Sequence, residues 1–327
     1  MILDLEPTEP QVMLAASVAG LLGRALKLTR LRDPALHGAR AELAIWPQIG
    51  ELGLFGLGLH EDEGGLGLGA AEEALAARGF GRVLASPALL AQMAAPYLAA
   101  DAASRAALIA GQQRACLAWL DRGQTILLDQ AGAENVVLLA PGAAALLPAA
   151  SFRRQPAEGI DDTLGWAVAD GVAAPPRTAV AARISLLIAA YLTGVAQAAC
   201  DMAVEYAGTR RQFGQPIGAF QAVKHACADM AVRAAAAEAQ LFYAAARFGA
   251  DGADEAEVAA ARLLATDAAL ANARANIQVH GAMGFTAESD AHWLLKRAHV
   301  LAYFGSGRRH MECTLLTAGT GGQSVRV

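Results

Sequence analysis

Cysteine is scarce and unpatterned in this chain. The four residues, Cys116, Cys200, Cys227 and Cys313, never fall at Cys-x-x-Cys spacing, which argues against a zinc site and a disulfide framework and fits a reduced, cytoplasmic protein. Metal-ligand spacing is also missing among the histidines, so His225, His280 and His299 are read as surface or hydrogen-bonded core residues. There is no basic surplus. The net charge is −5, whereas neutralising phosphates calls for a concentrated Lys/Arg face, so no nucleic-acid partner is expected. The opening residues, Met1-Ile-Leu-Asp-Leu-Glu-Pro7, lack the basic and apolar order of a secretory leader. A long apolar run is absent too, although 55% of residues are hydrophobic and mean hydropathy is +0.33. Much of that fraction is alanine. The longest charge-free helical candidate, Ile184 to Cys200, contains Ser185, Thr193, Gly194 and Gln197. It falls short of the roughly 20 apolar residues a span requires, so a buried bundle helix is expected and no membrane insertion.

At 327 residues the chain has room for two or three domains at about 100 to 200 residues each. From Glu9 to about Ala110 it is Ala/Leu-rich, with breaks at Asp33-Pro34, Gly56 to Gly69 and Ser86-Pro87, which reads as helices and loops. Ser86-Pro87 looks like a helix cap with proline at the first helical position. Between Ala115 and Pro176 the texture changes. Thr125–Leu128, Asn135–Leu139, Ala145–Leu147 and Gly165–Val168 are short apolar runs punctuated by Gly, Pro, Asp or Asn, the pattern of strands. Helices are predicted at about 183–208, 220–248, 254–280 and 288–301. In the first of these, Ile184, Leu187, Ile188, Tyr191 and Val195 share a face at bundle-core spacing. Dense alanine over 231–246 and 256–275 permits close helix approach in a bundle or subunit interface. The expected organisation is mainly α with a small β middle: a helical domain over 1–112, an abbreviated β domain over 113–178, a four-helix bundle over 179–318 and a loose tail over 319–327.

The most informative stretch runs from Tyr206 to Met230. Gly208, Gly214, Pro216 and Gly218 interrupt two helical patterns, and Arg210 and Arg211 lie where the first helix exposes its carbonyl end, a favourable place for cations. Such a corner can hold a phosphate. A solvated turn, with Arg210 capping the helix and Phe213 packed in the bend, would use the same residues.

The wording of this stretch resembles the helix-turn-helix of flavin-dependent acyl-CoA dehydrogenases. Tyr206, Ala207, Arg210, Gln212, Phe213, Gly214, Pro216, Ile217, Phe220, Gln221, His225 and Ala228-Asp229-Met230 fall on that family's pattern. Gln278-Val-His-Gly-Ala-Met-Gly-Phe285 resembles its Gln-x-x-Gly-Gly-x-Gly motif, with Ala282 in place of the second glycine. Glu61-Asp-Glu-Gly-Gly-Leu-Gly67 resembles its N-terminal Glu-x-x-Gly-Gly-x-Gly loop. The resemblance implies a helical first domain, a truncated β-barrel and a C-terminal four-helix bundle. It also implies FAD as cofactor, with Arg210 on the pyrophosphate, Gln212 and Phe213 against the same molecule, and Gln278 with Gly281 at the adenine and ribose end of a flavin held mainly by a neighbouring subunit. Arginine suits the diphosphate because it stays charged and meets phosphate oxygens in a bidentate way.

The family's chemistry removes an α-proton from an acyl-CoA with a carboxylate while the flavin accepts the β-hydride. The base must be a desolvated carboxyl. At its commonest position, the run Tyr303-Phe304-Gly305-Ser306-Gly307 here presents Gly305, and at the alternative position on the helix before the Arg turn the residue is Ile184. Glu288, Asp290 and Glu205 remain as candidate acids, with helix starts and surface charge as the plainer reading. The Phe304-Gly305 ending and the Gly284–His292 run resemble short bacterial members that assemble with a longer paralogue, some of them acting on CoA thioesters of steroid side chains or other bulky acids; together with the shortened middle this implies a subunit that completes another chain's FAD site. The resemblance further implies an acyl-CoA substrate, electron-transfer flavoprotein as electron acceptor, and a heterotetramer or a homo-oligomer. A homomeric enzyme with a relocated base such as Glu288, and a helical scaffold that has lost its flavin, are the alternatives.

Overall fold

The N-terminal third folds as short helices because its apolar stretches are repeatedly cut by capping and turn residues. In the computed structural model, which describes residues 5–248, 254–305 and 307–319, α1 spans Glu9–Ala25. Its start is fixed by Gln11 Oε1 accepting from the Thr8 amide at 2.9 Å. Short helices α2 (Arg40–Leu43) and α3 (Trp46–Glu51) precede α4 (Ala70–Arg82), α5 (Ala88–Ala94) and α6 (Ala102–Ile109). Helix α5 begins one residue later than Ser86-Pro87 predicts, and Ser86 Oγ accepts from the Ala88 amide at 3.1 Å. The tail predicted over 319–327 lies, beyond Gly319, outside the described residues.

Six strands come next in the chain: β1 (Ala115–Asp121), β2 (Gln124–Leu128), β3 (Asn135–Ala140), β4 (Ala143–Pro148), β5 (Arg154–Ala157) and β6 (Trp166–Asp170). They form one sheet in the order β4-β3-β1-β2-β6-β5, with β1 and β3 parallel and the other neighbours antiparallel. Strand period 2 divides the side chains. Leu117, Leu128, Val137 and Leu139 join the main core, and Cys116, Ala118, Leu127, Val136 and Leu138 form a second, smaller one with Phe152. Strand β1 turns into β2 through Arg122 and Gly123 alone, both left-handed at φ 47° and 84°. That two-residue connection matches the twist of the paired strands.

Helix α7 (Ala179–Thr209) is the axis of the C-terminal half. It ends in a small hairpin of β7 (Arg211–Gln212) and β8 (Gln215–Pro216), followed by α8 (Gln221–Ala246), α9 (Glu255–His280), α10 (Ala291–Tyr303) and α11 (Arg308–Gly319). By length and composition α7 meets the requirement for crossing a bilayer, yet 67% of its most apolar window is buried in the fold. It is a bundle helix. Against α4 it packs backbone to backbone. A Cβ built on Gly194 would lie 2.1 Å from the Arg78 carbonyl oxygen, and one on Gly81 would lie 1.9 Å from that of Tyr191. No side chain larger than hydrogen fits at either point.

A buried polar network joins the three regions. Arg297 of α10 donates to Asp161 Oδ2 at 2.6 Å, to Thr163 Oγ1 at 2.9 Å, to the Tyr191 hydroxyl at 2.7 Å and to the Ala85 carbonyl at 2.9 Å. Arg30 meets Glu42 at 3.1 Å, and Glu42 accepts from the Ser86 amide at 3.0 Å. Ser86 Oγ in turn donates to Asp129 Oδ2 at 2.5 Å, while the Gly165 amide donates to Asp129 Oδ1 at 2.6 Å. Burial pushes the Asp129 carboxyl up from 3.8 to about 6, against the pull of the Ser86 and Gly165 hydrogen bonds.

A carboxyl whose pKa rises on folding favours the folded state at low pH and loses that contribution as pH climbs through the folded value. For Asp129 the window is from about 4 to about 6, and the displacement corresponds to about 3 kcal/mol. Urea unfolding should therefore show Asp129→Asn gaining on the parent by about that amount between pH 4 and pH 7.5. Parallel pH curves for the two proteins would refute the assignment.

Candidate functional site

The cationic corner is built by the end of α7. Arg210 is the residue after the last helical turn, its amide donating to the Tyr206 carbonyl at 2.8 Å and its carbonyl accepting from the Ile217 amide at 2.8 Å. These bonds close the base of the β7–β8 hairpin, in which Arg211 pairs with Pro216 and Gln212 with Gln215. The tip is Phe213-Gly214, both left-handed at φ 50° and 80°. For phenylalanine that conformation is costly, and strain of this kind gathers at functional sites. Phe213 is 91% exposed, with its ring edge-on to Phe220 at 6.0 Å between ring centroids. Phe213 is therefore not packed inside the bend. The Arg210 side chain is exposed, and among the described residues it makes no hydrogen bond or ion pair, so its guanidinium is free for a ligand from outside the chain.

The second motif lies beside the first. Tyr206 and His280 stack at 4.1 Å with their planes 20° apart, bringing the ends of α7 and α9 together. His280 Nδ1 bonds the Asn276 carbonyl at 2.9 Å, which fixes the ring for that stack. Gln278 is exposed. Gly281 is left-handed at φ 62°, and a Cβ built on it meets nothing within 4 Å, so a ligand can approach its backbone. Gly284, the last glycine of the motif, is a packing glycine: its Cβ would fall 2.5 Å from the Ile277 carbonyl oxygen. A cleft of about 510 Å³ runs along this junction, lined by Tyr206, Thr209, His280 and Met283 together with Glu205, Glu288 and the Arg32–Asp290 pair.

These residues fit the diphosphate and nucleoside half of a dinucleotide. They supply an unpaired guanidinium, exposed amide side chains and an open glycine backbone. They do not enclose it. Arg210, Arg211, Gln212, Phe213 and Gly214 are all exposed.

Neither of the two base positions that the family resemblance points to carries a carboxyl. Gly305 is left-handed at φ 81°, and a Cβ there would press on Leu139 Cδ1 at 3.3 Å, so a larger residue would be strained as well as crowded. Ile184 is 1% exposed and packs in the core. Glu288 is solvent-exposed, and the Thr286 hydroxyl holds its carboxyl below the ordinary value, the opposite of what a general base needs. Asp290 is engaged by Arg32 at 2.7 Å. Sequence reasoning missed Glu73 of α4, a buried carboxyl pushed up by burial and pulled down by Arg183 and the Tyr97 hydroxyl. It forms an ion pair with Arg183, the neighbour of Ile184, and the Arg183 guanidinium also covers the Tyr97 ring at 4.3 Å. The only local signal was the Glu72-Glu73 pair in an alanine-rich helix. The N-terminal loop behaves as its glycines require, with Gly64 and Gly67 left-handed and a Cβ on Gly65 only 2.2 Å from the Leu59 carbonyl oxygen.

Comparison with known proteins adds independent findings. Residues 8–108 match the acyl-CoA dehydrogenase N-terminal domain, and residues 165–320 match the acyl-CoA dehydrogenase C-terminal domain. The chain is 31% identical to the acyl-CoA dehydrogenase IpdE2 of Mycobacterium tuberculosis over 90% of this chain and 92% of that protein. It is 36% identical to FadE34 of the same organism over 84% of this chain, but spans only 42% of FadE34. Among solved structures, butyryl-CoA dehydrogenase from Megasphaera elsdenii superposes with a TM-score of 0.79 at 17% identity, covering 97% of this chain and all of the other, 100%. The steroid ACAD Tcur3481-Tcur3483 superposes with a TM-score of 0.81 at 21% identity, covering 96% and 99%.

Proposed function

The chain belongs to the acyl-CoA dehydrogenase family, and from that premise we propose that it is a subunit that completes the FAD site of a longer paralogue rather than a self-sufficient enzyme. One observation carries this reading. The Arg210 corner is intact, unpaired and turned outward, while both usual positions of the catalytic carboxylate, Gly305 and Ile184, cannot take a proton. One finding supports it: the steroid ACAD of like fold carries a two-part name. FAD suits the site by chemistry, and proteins of this fold have been solved with FADH2 and with FAD.

In this reading Arg210 grips the diphosphate, Gln212 and Phe213 close over it, and Gln278 with the Gly281 backbone borders the adenine and ribose. When bound, the flavin supplies acceptance of the β-hydride as an acyl-CoA becomes α,β-unsaturated. The α-proton would leave to a carboxylate of the paralogue, and electrons would pass on to an electron-transfer flavoprotein.

The test is to purify the chain alone and with a co-expressed longer family member from its genomic neighbourhood, and to record absorbance near the flavin band at ~450 nm. Yellow protein from the pair alone is the expected result. Yellow, turning-over protein from the single chain would replace the proposal with a homomeric enzyme. Colourless protein in both preparations would leave a helical scaffold.

A further inference from the structure

A cleft of about 450 Å³ opens at the seam between the N-terminal helices and the sheet, with His37, Arg40, Asp129, Gly132, Arg154 and Trp166 among its walls. It shares no wall residue with the cleft beside Tyr206 and His280. Its volume falls in the roughly 300 to 1,000 Å³ range of small-molecule sites. Arg40 opens α2, Arg154 opens β5 and Trp166 opens β6, so a guanidinium from the helical domain and another from the sheet edge border one space. Asp129 is the single carboxylate in the lining, and its oxygens already accept from Ser86 Oγ and the Gly165 amide. Two guanidiniums against one carboxylate leave the cleft cationic.

The remaining walls are fixed in place. His37 Nε2 donates to the Leu31 carbonyl at 2.8 Å, which leaves Nδ1 as a further polar group for a ligand. Trp166 Nε1 donates to the Asp161 carbonyl at 2.8 Å, and the Gly159 backbone lies against the indole so closely that a Cβ would come within 2.1 Å of Cε2. A locked indole offers a flat apolar surface. The backbone beneath is strained, with Ala39 and Asp129 left-handed at φ 68° and 51°, a conformation that non-glycine residues adopt at a cost and that gathers at functional sites. Hydrogen bonds from Glu42 through Ser86 to Asp129 tie these two segments together. A site preformed in this way costs a ligand little to order.

We propose that this cleft binds a small organic dianion with a planar ring, a phosphate ester or a dicarboxylate, its anionic groups between Arg40 and Arg154 and its ring against Trp166. Guanidinium meets both kinds of group in a bidentate way. The proposal is independent of flavin binding and of any partner.

Phenyl phosphate and phthalate are the probes. Calorimetric titration of the intact chain near neutral pH should show saturable binding, and whichever probe binds more tightly identifies the anionic group. Arg40→Gln and Arg154→Gln, both at exposed positions, should each weaken that binding by about tenfold or more without moving the melting temperature. Arg210→Ala, which alters the flavin corner, should bind the probes as the parent does, so the failure of one site is told from the failure of the other. Crystals of the unmodified protein soaked in the tighter probe should show it between the two guanidiniums, a result that requires no variant. Three outcomes would overturn the proposal: no saturable binding of either probe, undiminished binding in both Arg40→Gln and Arg154→Gln, or a probe found at the Arg210 corner and lost with Arg210→Ala.

Discussion

Arg210→Ala is expected to strip the flavin from whichever assembly of this chain carries it. Removing one partner of a desolvated, hydrogen-bonded charge pair costs about 3 kcal/mol, roughly a 100-fold loss of affinity. Dialysed protein should lose its ~450 nm band, and fluorimetric titration should show the weakened binding directly. The structure makes this a clean test, because Arg210 is exposed and has no intrachain side-chain partner among the described residues. The melting temperature of the isolated chain should therefore stay unchanged. A variant that keeps its flavin would remove Arg210 from the cofactor, and one that loses flavin only by unfolding would show in the melt.

The largest stability effect is expected at Arg297. Both it and Asp161 are buried, at 1% and 0% exposure, and joined at 2.6 Å. Arg297→Met leaves the Asp161 carboxylate without its cation in the interior, and breaking a buried pair in this way costs about 3 to 5 kcal/mol. Against a typical total of about 5 to 15 kcal/mol that is at least about a fifth of the stability of a domain. The single variant should therefore melt far earlier or fail to accumulate. Asp161→Asn in the Arg297→Met background should recover part of the loss, since no unpaired charge then remains. A double variant no better than the single one would mean that the remaining bonds of Arg297, to Thr163, Tyr191 and the Ala85 carbonyl, carry the effect instead.

How much of this could be read beforehand depended on how local each signal was. Strands β2, β3, β4 and β6 lie where the punctuated runs predict them. Strand β1 escaped because Ala-Cys-Leu-Ala-Trp-Leu lacks β-branched residues and continues the Ala/Leu texture of the helices before it; its strand state comes from pairing with β2 and β3. Strand β5 contains Pro156 and sits at the sheet edge, where proline is tolerated but the strand pattern fades. Helix α11 was not foreseen, although Arg308 and Glu312 form an i,i+4 pair on it at 2.8 Å. The Arg210 corner was legible because its residues are contiguous. The partners of Arg297 were not, because Asp161 is 136 positions away, and neither was the cleft between Arg40 and Arg154, whose walls come from separate stretches of the chain.

The backbone-to-backbone crossing of α4 and α7 at Gly81 and Gly194 bears on how the molecule comes apart. Two rods touching main chain to main chain have no lubricating layer of methyl groups between them, so one cannot roll or slide over the other without steric collision. The amino-terminal helices and the carboxy-terminal bundle are thereby welded into one cooperative body. Cutting the chain in the sheet that connects them would yield two halves, each with a naked seam in place of a finished surface.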